Sequence, residues 1–364
     1  MNMPLTGRSI GLDGIPAAVT ALSLVDGENG VLVIAGLSVE RLAETLTFEA
    51  VAAGLWRIAD PRAEAVEPAT FGRLRAAAFE QALHICPSLV RLGPVDGLRA
   101  ALAALDIADG PSAAAAIVAA VPVLIATLEA LRAGRAPLAP DPALGHAADM
   151  LRMLRGAPPS PAEARALDAY LTTVSDHGMN ASTFACRVVT ATRASLVSAV
   201  TAAYGALSGP LHGGAPGPVL DMLDEIGDRT AIAPWIAAAL ERGERLMGFG
   251  HRIYRSRDPR ADVLKAALER LAPATPRLAF ALEVEREARA QLNARHPERP
   301  LDTNVEFYTA LLLDALGLPR ALFTPLFAVG RVAGWTAHAM EHHARAGRLI
   351  RPEALYDGAR PEAA

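Results

Sequence analysis

Two histidines sit among glycines: His212 in Gly209-Pro210-Leu211-His212-Gly213-Gly214, and His251 in Gly248-Phe249-Gly250-His251-Arg252-Ile253-Tyr254-Arg255-Ser256-Arg257-Asp258-Pro259-Arg260. A histidine in a glycine-rich loop presents its side chain while the backbone allows close approach of a ligand. The two loops lie about forty residues apart and point to one site with two imidazoles and several anion-binding groups. Asp258-Pro259 is a helix-start signal, because Asp caps free amides and Pro fits the first helical position. Arg260 then falls in the first turn, where its guanidinium and the nearby amides can share an anion. Taken alone, Arg252, Arg255, Arg257 and Arg260 read equally well as a solvated basic face.

Asn304 is placed to cap a later helix, with Glu306 in its first turn. There the helix dipole favours the ionised carboxylate, which can accept a proton. From this segment alone, an ordinary N-terminal helix glutamate is the better reading. His338, His342 and His343 lie near the end of a helix expected to begin at Pro325. The i,i+4 pair His338/His342 has no third ligand at a metal-binding spacing, and Glu341 is out of order for a zinc protease. Favourable imidazolium charge at a helix C-terminus is the expectation for all three. His84, His146 and His296 carry no motif and are expected to be structural or solvent-facing.

The frame that must hold these residues reads as all-α, with one minor N-terminal β-hairpin. Val31 to Ile34 follows the turn Asp26-Gly27-Glu28-Asn29-Gly30 and is half of that hairpin. Helical patterns run over Ser38 to Leu46, Phe48 to Trp56, Phe71 to Leu83, Val95 to Leu105 and Pro111 to Ala133. Pro137, Pro140 and Pro142 make Ala133 to Leu144 an irregular loop. Ser160-Pro161-Ala162-Glu163 is a capping box opening a helix to about Val174. Further helices are expected over Ser182 to Gly205, Val219 to Ile226, Ala233 to Gly243, Pro259 to Leu271, Pro276 to Asn293, Asn304 to Leu316 and Pro325 to Ala346.

The chain has 364 residues, of which 52% are apolar and 20% charged. That composition describes a globular protein with an ample core. A net charge of −4 gives no reason to expect nucleic acid or a membrane as partner. Lys265 is the only lysine; arginine suits bidentate carboxylate and phosphate recognition. Two cysteines without a CxxC spacing, and no basic-then-apolar leader, make a reducing cytoplasm the expected location. Ser112 to Leu128 is the most apolar stretch. It is short, alanine-rich and interrupted by Pro122, so a buried core helix is expected there.

Taken together, the blocks resemble the citrate synthase family over nearly the whole length. The matching segments start at Gly11-Leu12-Asp13-Gly14 and Asp26-Gly27-Glu28-Asn29-Gly30. They continue through Asp176-His177-Gly178-Met179-Asn180-Ala181-Ser182-Thr183-Phe184 and the two histidine loops to Arg348-Leu349-Ile350-Arg351-Pro352. The resemblance implies a helical homodimer with a large domain (1–211 and 312–364) and a small domain (212–311) closing over substrate. It implies condensation of acetyl-CoA with oxaloacetate and hydrolysis of citryl-CoA, without a metal or redox cofactor. By motif, His212 resembles the imidazole that hydrogen-bonds the thioester carbonyl as it enolises, a role for a neutral donor. Glu306 takes the position of the base, and His251 that of the group polarising the ketone. His177, Arg260 and Arg331 resemble oxaloacetate ligands, and Arg351 the ligand reaching across the dimer. Arg255 falls where the family contacts CoA phosphate, with Gly248-Phe249-Gly250 against the adenine.

The chain departs from that pattern in places. Glu306 replaces the usual aspartate, Gly178 the glutamate after the histidine, and Gly93 a histidine before a Pro-x-Asp helix start. Val33-Ile34-Ala35-Gly36 stands where an aromatic-Arg-Gly signature is usual. An extra methylene can move the carboxylate by about 1.5 Å, and a displacement of about 1 Å can cost about a hundredfold in rate. The alternatives to citrate formation are therefore 2-methylcitrate formation from propionyl-CoA, and a catalytically weak paralogue with a binding or regulatory role.

Overall fold

The computed structural model describes residues 12, 14–213, 216–272, 275–298, 301–356 and 358. Gly11, Asp13 and Gly214 of the quoted motifs lie outside them. Three short antiparallel strands come first, β1 (Ser23–Asp26), β2 (Val31–Ile34) and β3 (Leu37–Ser38), in the order β1-β2-β3 with Ser23 opposite Ile34. The third strand was not expected. It forms because Ala35 and Gly36 both take positive φ, the two-residue turn geometry whose twist matches antiparallel strands.

Fifteen α-helices follow among the described residues. The first six are α1 (Val39–Thr45), α2 (Phe48–Ala59), α3 (Pro68–Ile85), α4 (Pro94–Ala103), α5 (Ala113–Arg132) and α6 (His146–Arg155). Next come α7 (Pro161–Thr173), α8 (Ala181–Ala191), α9 (Leu196–Leu207), α10 (Pro216–Ile226) and α11 (Ile232–Glu241). The last four are α12 (Pro259–Leu271), α13 (Pro276–Arg295), α14 (Val305–Ala315) and α15 (Phe323–Ala344). The capping box at Ser160 and Glu163 forms with both reciprocal bonds, and Asp258 and Asn304 cap α12 and α14.

Three sequence expectations change. The helix expected over Ser182 to Gly205 is two helices, because Arg193 turns left-handed (φ 64°) and Ser195 caps a new start by accepting from the Ser198 amide. Helix α6 was not expected; it stops at Gly156, which adopts φ 78° as helix C-termini favour. Helix α15 begins at Phe323, so Pro325 lies inside its first turn, where a missing N–H costs no helical bond.

Helices α5 and α15 are the spine. Among the described residues α5 is the one helix long and apolar enough to cross a membrane, and nearly every side chain of it is buried against the surrounding helices. Helix α15 is buried along most of its length and packs on α2, α5, α7, α8 and α9. It therefore carries polar groups into the interior.

The irregular loop before α6 is held by charge. Arg75 Nε donates to Asp149 Oδ2 at 2.8 Å with both side chains fully buried, and the Arg75 guanidinium also donates to the Leu144 carbonyl. Asp149 Oδ1 accepts from the Asp141 amide at 3.0 Å and from Arg152. Removing one partner of such a pair strands the other charge, at a cost of about 3–5 kcal/mol. Asp149→Asn should lower stability by that amount in urea unfolding; an unchanged midpoint would show that the pair does not hold the loop.

Candidate active site

His177 leaves the end of α7 in the segment Ser175-Asp176-His177, just before Asn180 caps α8 through the Ser182 and Thr183 amides. Its Nε2 lies 3.1 Å from the Tyr254 hydroxyl, and its ring packs edge-on against His251 with centroids 5.8 Å apart. The His251 loop is propped from below by the β1–β2 turn. The Arg255 amide donates to the Gly27 carbonyl at 2.8 Å, and a Cβ on Gly27 would fall 2.4 Å from the Ile253 carbonyl oxygen. Glycine is required there by contact.

The same loop is tied to α14, which carries Glu306. Gly248 accepts from the Asn304 amide at 2.9 Å, Gly250 donates to the Asp302 carbonyl at 2.8 Å, and Asn304 Nδ2 donates to the Gly250 carbonyl at 2.8 Å. Gly248 adopts φ 85°, and a Cβ there would strike Phe307. Asp258 completes the tie: it accepts from Arg260 Nε and Nη2 at 3.0 and 2.9 Å, and from the Val305 amide at 3.0 Å. One carboxylate thus caps α12, orients Arg260 and fixes the start of α14.

His251 Nδ1 accepts from the Ile253 and Tyr254 amides, both at 3.1 Å. A nitrogen that accepts two N–H bonds is unprotonated. The other ring nitrogen, Nε2, lies 3.3 Å from Arg260 Nη2, so the imidazole and the guanidinium stand side by side. His212 Nε2 lies 2.9 Å from Ser182 Oγ, which also receives Trp335 Nε1 at 3.1 Å and faces Asn180 Oδ1 at 2.7 Å. Arg331, inside α15, is buried and donates from Nε to the Val174 carbonyl at 2.7 Å.

Electrostatics follow from burial around two guanidiniums. Burial, then repulsion from Arg331 and Arg260, lowers His212 to about 4. Burial and Arg260 lower His251 likewise to about 4, and His177 is held well below the usual imidazole value by burial and the same two arginines. All three rings are neutral at pH 7. Burial works against the Arg260 charge, but Asp258 outweighs it and raises the pKa. Burial lowers Arg331 to about 10, which leaves it charged at neutral pH.

Glu306 corrects an expectation. Its helix N-terminus favours the ionised form, yet burial, with Asp258 adding to it against Arg260 and Arg331, raises the carboxyl to about 7. Two of the three histidines of α15, His338 and His342, are corrected too. His338 is fully buried and far from a solvated helix end: its Nδ1 lies 2.8 Å from Arg187 Nη1 and its Nε2 3.3 Å from Asp176 Oδ2. Because arginine only donates, Nδ1 accepts and Nε2 carries the proton toward Asp176. His342 is lowered by burial and by Arg187, so imidazolium charge is disfavoured. Among the described residues no group of three metal-ligating side chains is assembled.

Of the site residues expected from sequence, His177, His212, His251, Arg260, Arg331 and Glu306 share one electrostatic cluster. Phe249 and Gly250 border a cleft of about 920 Å³ that runs past His251 to Arg245, Arg252, Arg295 and His296, and Gly248 precedes them on the same loop. His296, expected to be structural or solvent-facing, stands exposed on the rim of that cleft. Arg255 is exposed beside the β1–β2 turn. Arg351 stands exposed on the extended segment after α15, outside the cluster. Sequence reasoning missed Tyr254, Ser182 and Trp335 as supports; only long-range packing brings α8 and α15 to His212.

A family model described as citrate synthase, C-terminal domain, matches residues 11–353. This chain belongs to the citrate synthase family. It is similar to a putative citrate synthase 2 of Mycobacterium tuberculosis, 38% identical over 96% of this chain and 93% of that protein. Citrate synthase 2 of Bacillus subtilis is 37% identical over 96% of this chain and 95% of the relative. Among solved structures, citrate synthase from Thermotoga maritima aligns with TM-score 0.84 at 31% identity, covering 97% of both chains. The Thermoplasma acidophilum citrate synthase, solved as a ternary complex with carboxymethyl coenzyme A and oxaloacetate, aligns with TM-score 0.85 at 26% identity over 97% of both chains.

Ser182→Ala would leave Trp335 Nε1 buried without its acceptor, a loss of about 1–3 kcal/mol. Thermal and urea unfolding should register it; unchanged stability would place solvent at that indole.

Proposed function

We propose that the protein condenses acetyl-CoA with oxaloacetate and hydrolyses the resulting citryl-CoA to citrate and CoA. It is then an acyltransferase of class EC 2.3.3 that converts the acyl group to an alkyl group on transfer. The observation that carries this reading is one electrostatic cluster of neutral imidazoles, two buried guanidiniums and a carboxyl group raised to about 7.

In this scheme Arg260 and Arg331 bind the two carboxylates of oxaloacetate, with His177 beside them. His251 and the adjacent Arg260 polarise the ketone oxygen and stabilise the alkoxide that forms. Glu306 removes a methyl proton from acetyl-CoA, and a base with a pKa close to the working pH suits that transfer. His212 donates to the thioester carbonyl as it becomes an enol. Ser182 governs which nitrogen donates: with its hydroxyl proton turned from Asn180 to His212 Nε2, the imidazole proton sits on Nδ1 and faces the substrate. The enol carbon then attacks the polarised ketone, and water cleaves the thioester. No step uses a metal or redox cofactor.

CoA occupies the arginine-lined cleft, its adenine against Gly248-Phe249-Gly250 and its phosphates near Arg255, with Arg245, Arg252 and Arg295 as further cations. The exposed Arg351 suits a role in a partner's site, which makes the working unit a homodimer with a large domain (1–211, 312–364) and a small domain (212–311) that closes over substrate. The proposed location is the cytoplasm.

A thiol-release assay with oxaloacetate and acetyl-CoA or propionyl-CoA tests the reading. Turnover should be lost in Glu306→Gln by at least about a hundredfold. Because the carboxyl is raised to about 7, wild-type kcat should fall as pH drops through about 7. Oxaloacetate binding without thiol release, or an acid limb retained unchanged in Glu306→Gln, would refute it.

A further inference from the structure

Tyr254 follows His251 by three residues and is almost wholly buried. Its backbone and its side chain hold different rings. The amide donates to His251 Nδ1 at 3.1 Å, and the hydroxyl lies 3.1 Å from His177 Nε2. The phenol ring packs on both imidazoles, its centroid 4.7 Å from that of His251 and 5.7 Å from that of His177. The Arg260 guanidinium stands 5.8 Å from the same centroid. Both sides of this contact are pinned. The loop is tied by the Arg255 amide to the Gly27 carbonyl, and the residue after His177 by the Gly178 amide to Ser23 Oγ at 3.0 Å.

The two nitrogens of His177 are treated differently. Nε2 meets the Tyr254 hydroxyl, which has no other hydrogen-bond partner among the described residues. Nδ1 makes no hydrogen bond among them, and it is not sealed from solvent as the orphaned nitrogens of His146 are. The protein thus occupies Nε2 and leaves Nδ1 for a ligand. A neutral imidazole has one N–H and one acceptor nitrogen, and burial beside two guanidiniums keeps this ring neutral. A carboxylate only accepts hydrogen bonds. The nitrogen that meets one must carry the proton, and Nε2 must then accept from its own partner. A phenol hydroxyl can do this, and burial keeps that of Tyr254 protonated.

We propose that the Tyr254 hydroxyl donates to His177 Nε2 and so fixes the proton of that ring on Nδ1, the nitrogen it presents to a carboxylate oxygen of oxaloacetate. Tyr254 is then a positioning residue for the dicarboxylate. One residue sets both imidazoles, His251 through its amide and His177 through its hydroxyl, so the two rings keep a common register. The inference rests on the reading that His177 contacts oxaloacetate.

The first test needs no change at Tyr254. In ¹⁵N NMR of the substrate-free protein, with the His177 signals assigned by their absence from His177→Gln, the ring should show Nδ1 protonated and Nε2 unprotonated. A proton on Nε2 overturns the proposal. The second test is Tyr254→Phe, which keeps the ring and the amide bond to His251. Isothermal titration with oxaloacetate should give a Kd raised about fivefold, the scale of one net hydrogen bond. KM for oxaloacetate should rise with it, while kcat and the KM for acetyl-CoA stay unchanged, the pattern of a lost binding contact. In a His177→Ala background the same substitution should leave oxaloacetate affinity where it was, because the hydroxyl acts only through that ring. A further loss there would place the hydroxyl on substrate and overturn the proposal, as would an unmoved Kd in Tyr254→Phe alone. Binding and NMR need no turnover, so absence of thiol release in the wild type would refute the enzyme reading separately.

Discussion

Two buried positive charges set the terms for the interior of this protein. Arg260 and Arg331 sit almost wholly out of solvent, where an unpaired guanidinium is costly, and the surrounding elements are arranged to hold them. Asp258 pairs with Arg260 through two hydrogen bonds, and with the same carboxylate caps α12 and anchors the first amide of α14. Asp176 counters Arg331 from the segment after α7. It is itself held by the Ser23 hydroxyl at 2.5 Å and by His338. His338 in turn leans on Arg187, which pairs with Glu341, and Glu341 accepts from the Ala21 amide. The chain of polar contacts runs from the first strand through α8 to α15 without leaving the interior.

The consequence for chemistry is a set of groups moved from their ordinary protonation. Positive charge and burial act in the same direction on the histidines, so each stays neutral and can donate a hydrogen bond without carrying charge. On Glu306 the two effects oppose each other: burial raises the carboxyl and the guanidiniums lower it, with burial winning. A carboxylate that feels the charge of the cations that would bind a dicarboxylate can thus still take up a proton near neutral pH. The enzyme reading depends on this balance more than on any one side chain.

Much of this was legible in local sequence. Caps such as Ser160, Asp258 and Asn304 act over three or four residues, so they located helix starts that the structure reproduces. Glycine-flanked His212 and His251 announced loops that approach other backbone closely. What could not be read was whatever depends on distant packing. The break at Arg193 is a left-handed residue with no glycine to mark it, and α6 follows a proline-rich loop whose order comes from the buried Arg75–Asp149 pair. His338 looked like one of three end-of-helix histidines because sequence gives no sign that α15 is sheathed by other helices along most of its length. The Glu306 pKa was misjudged for the same reason: a helix dipole is local, whereas burial is a property of the whole fold.

The claim that buried guanidiniums hold the two loop imidazoles neutral is tested most directly by ¹⁵N NMR of His212 and His251 across pH 4 to 8 in the substrate-free protein. The account predicts neutral rings at pH 6, with charging of either ring only near pH 4. An imidazolium at either position at pH 6 would contradict it.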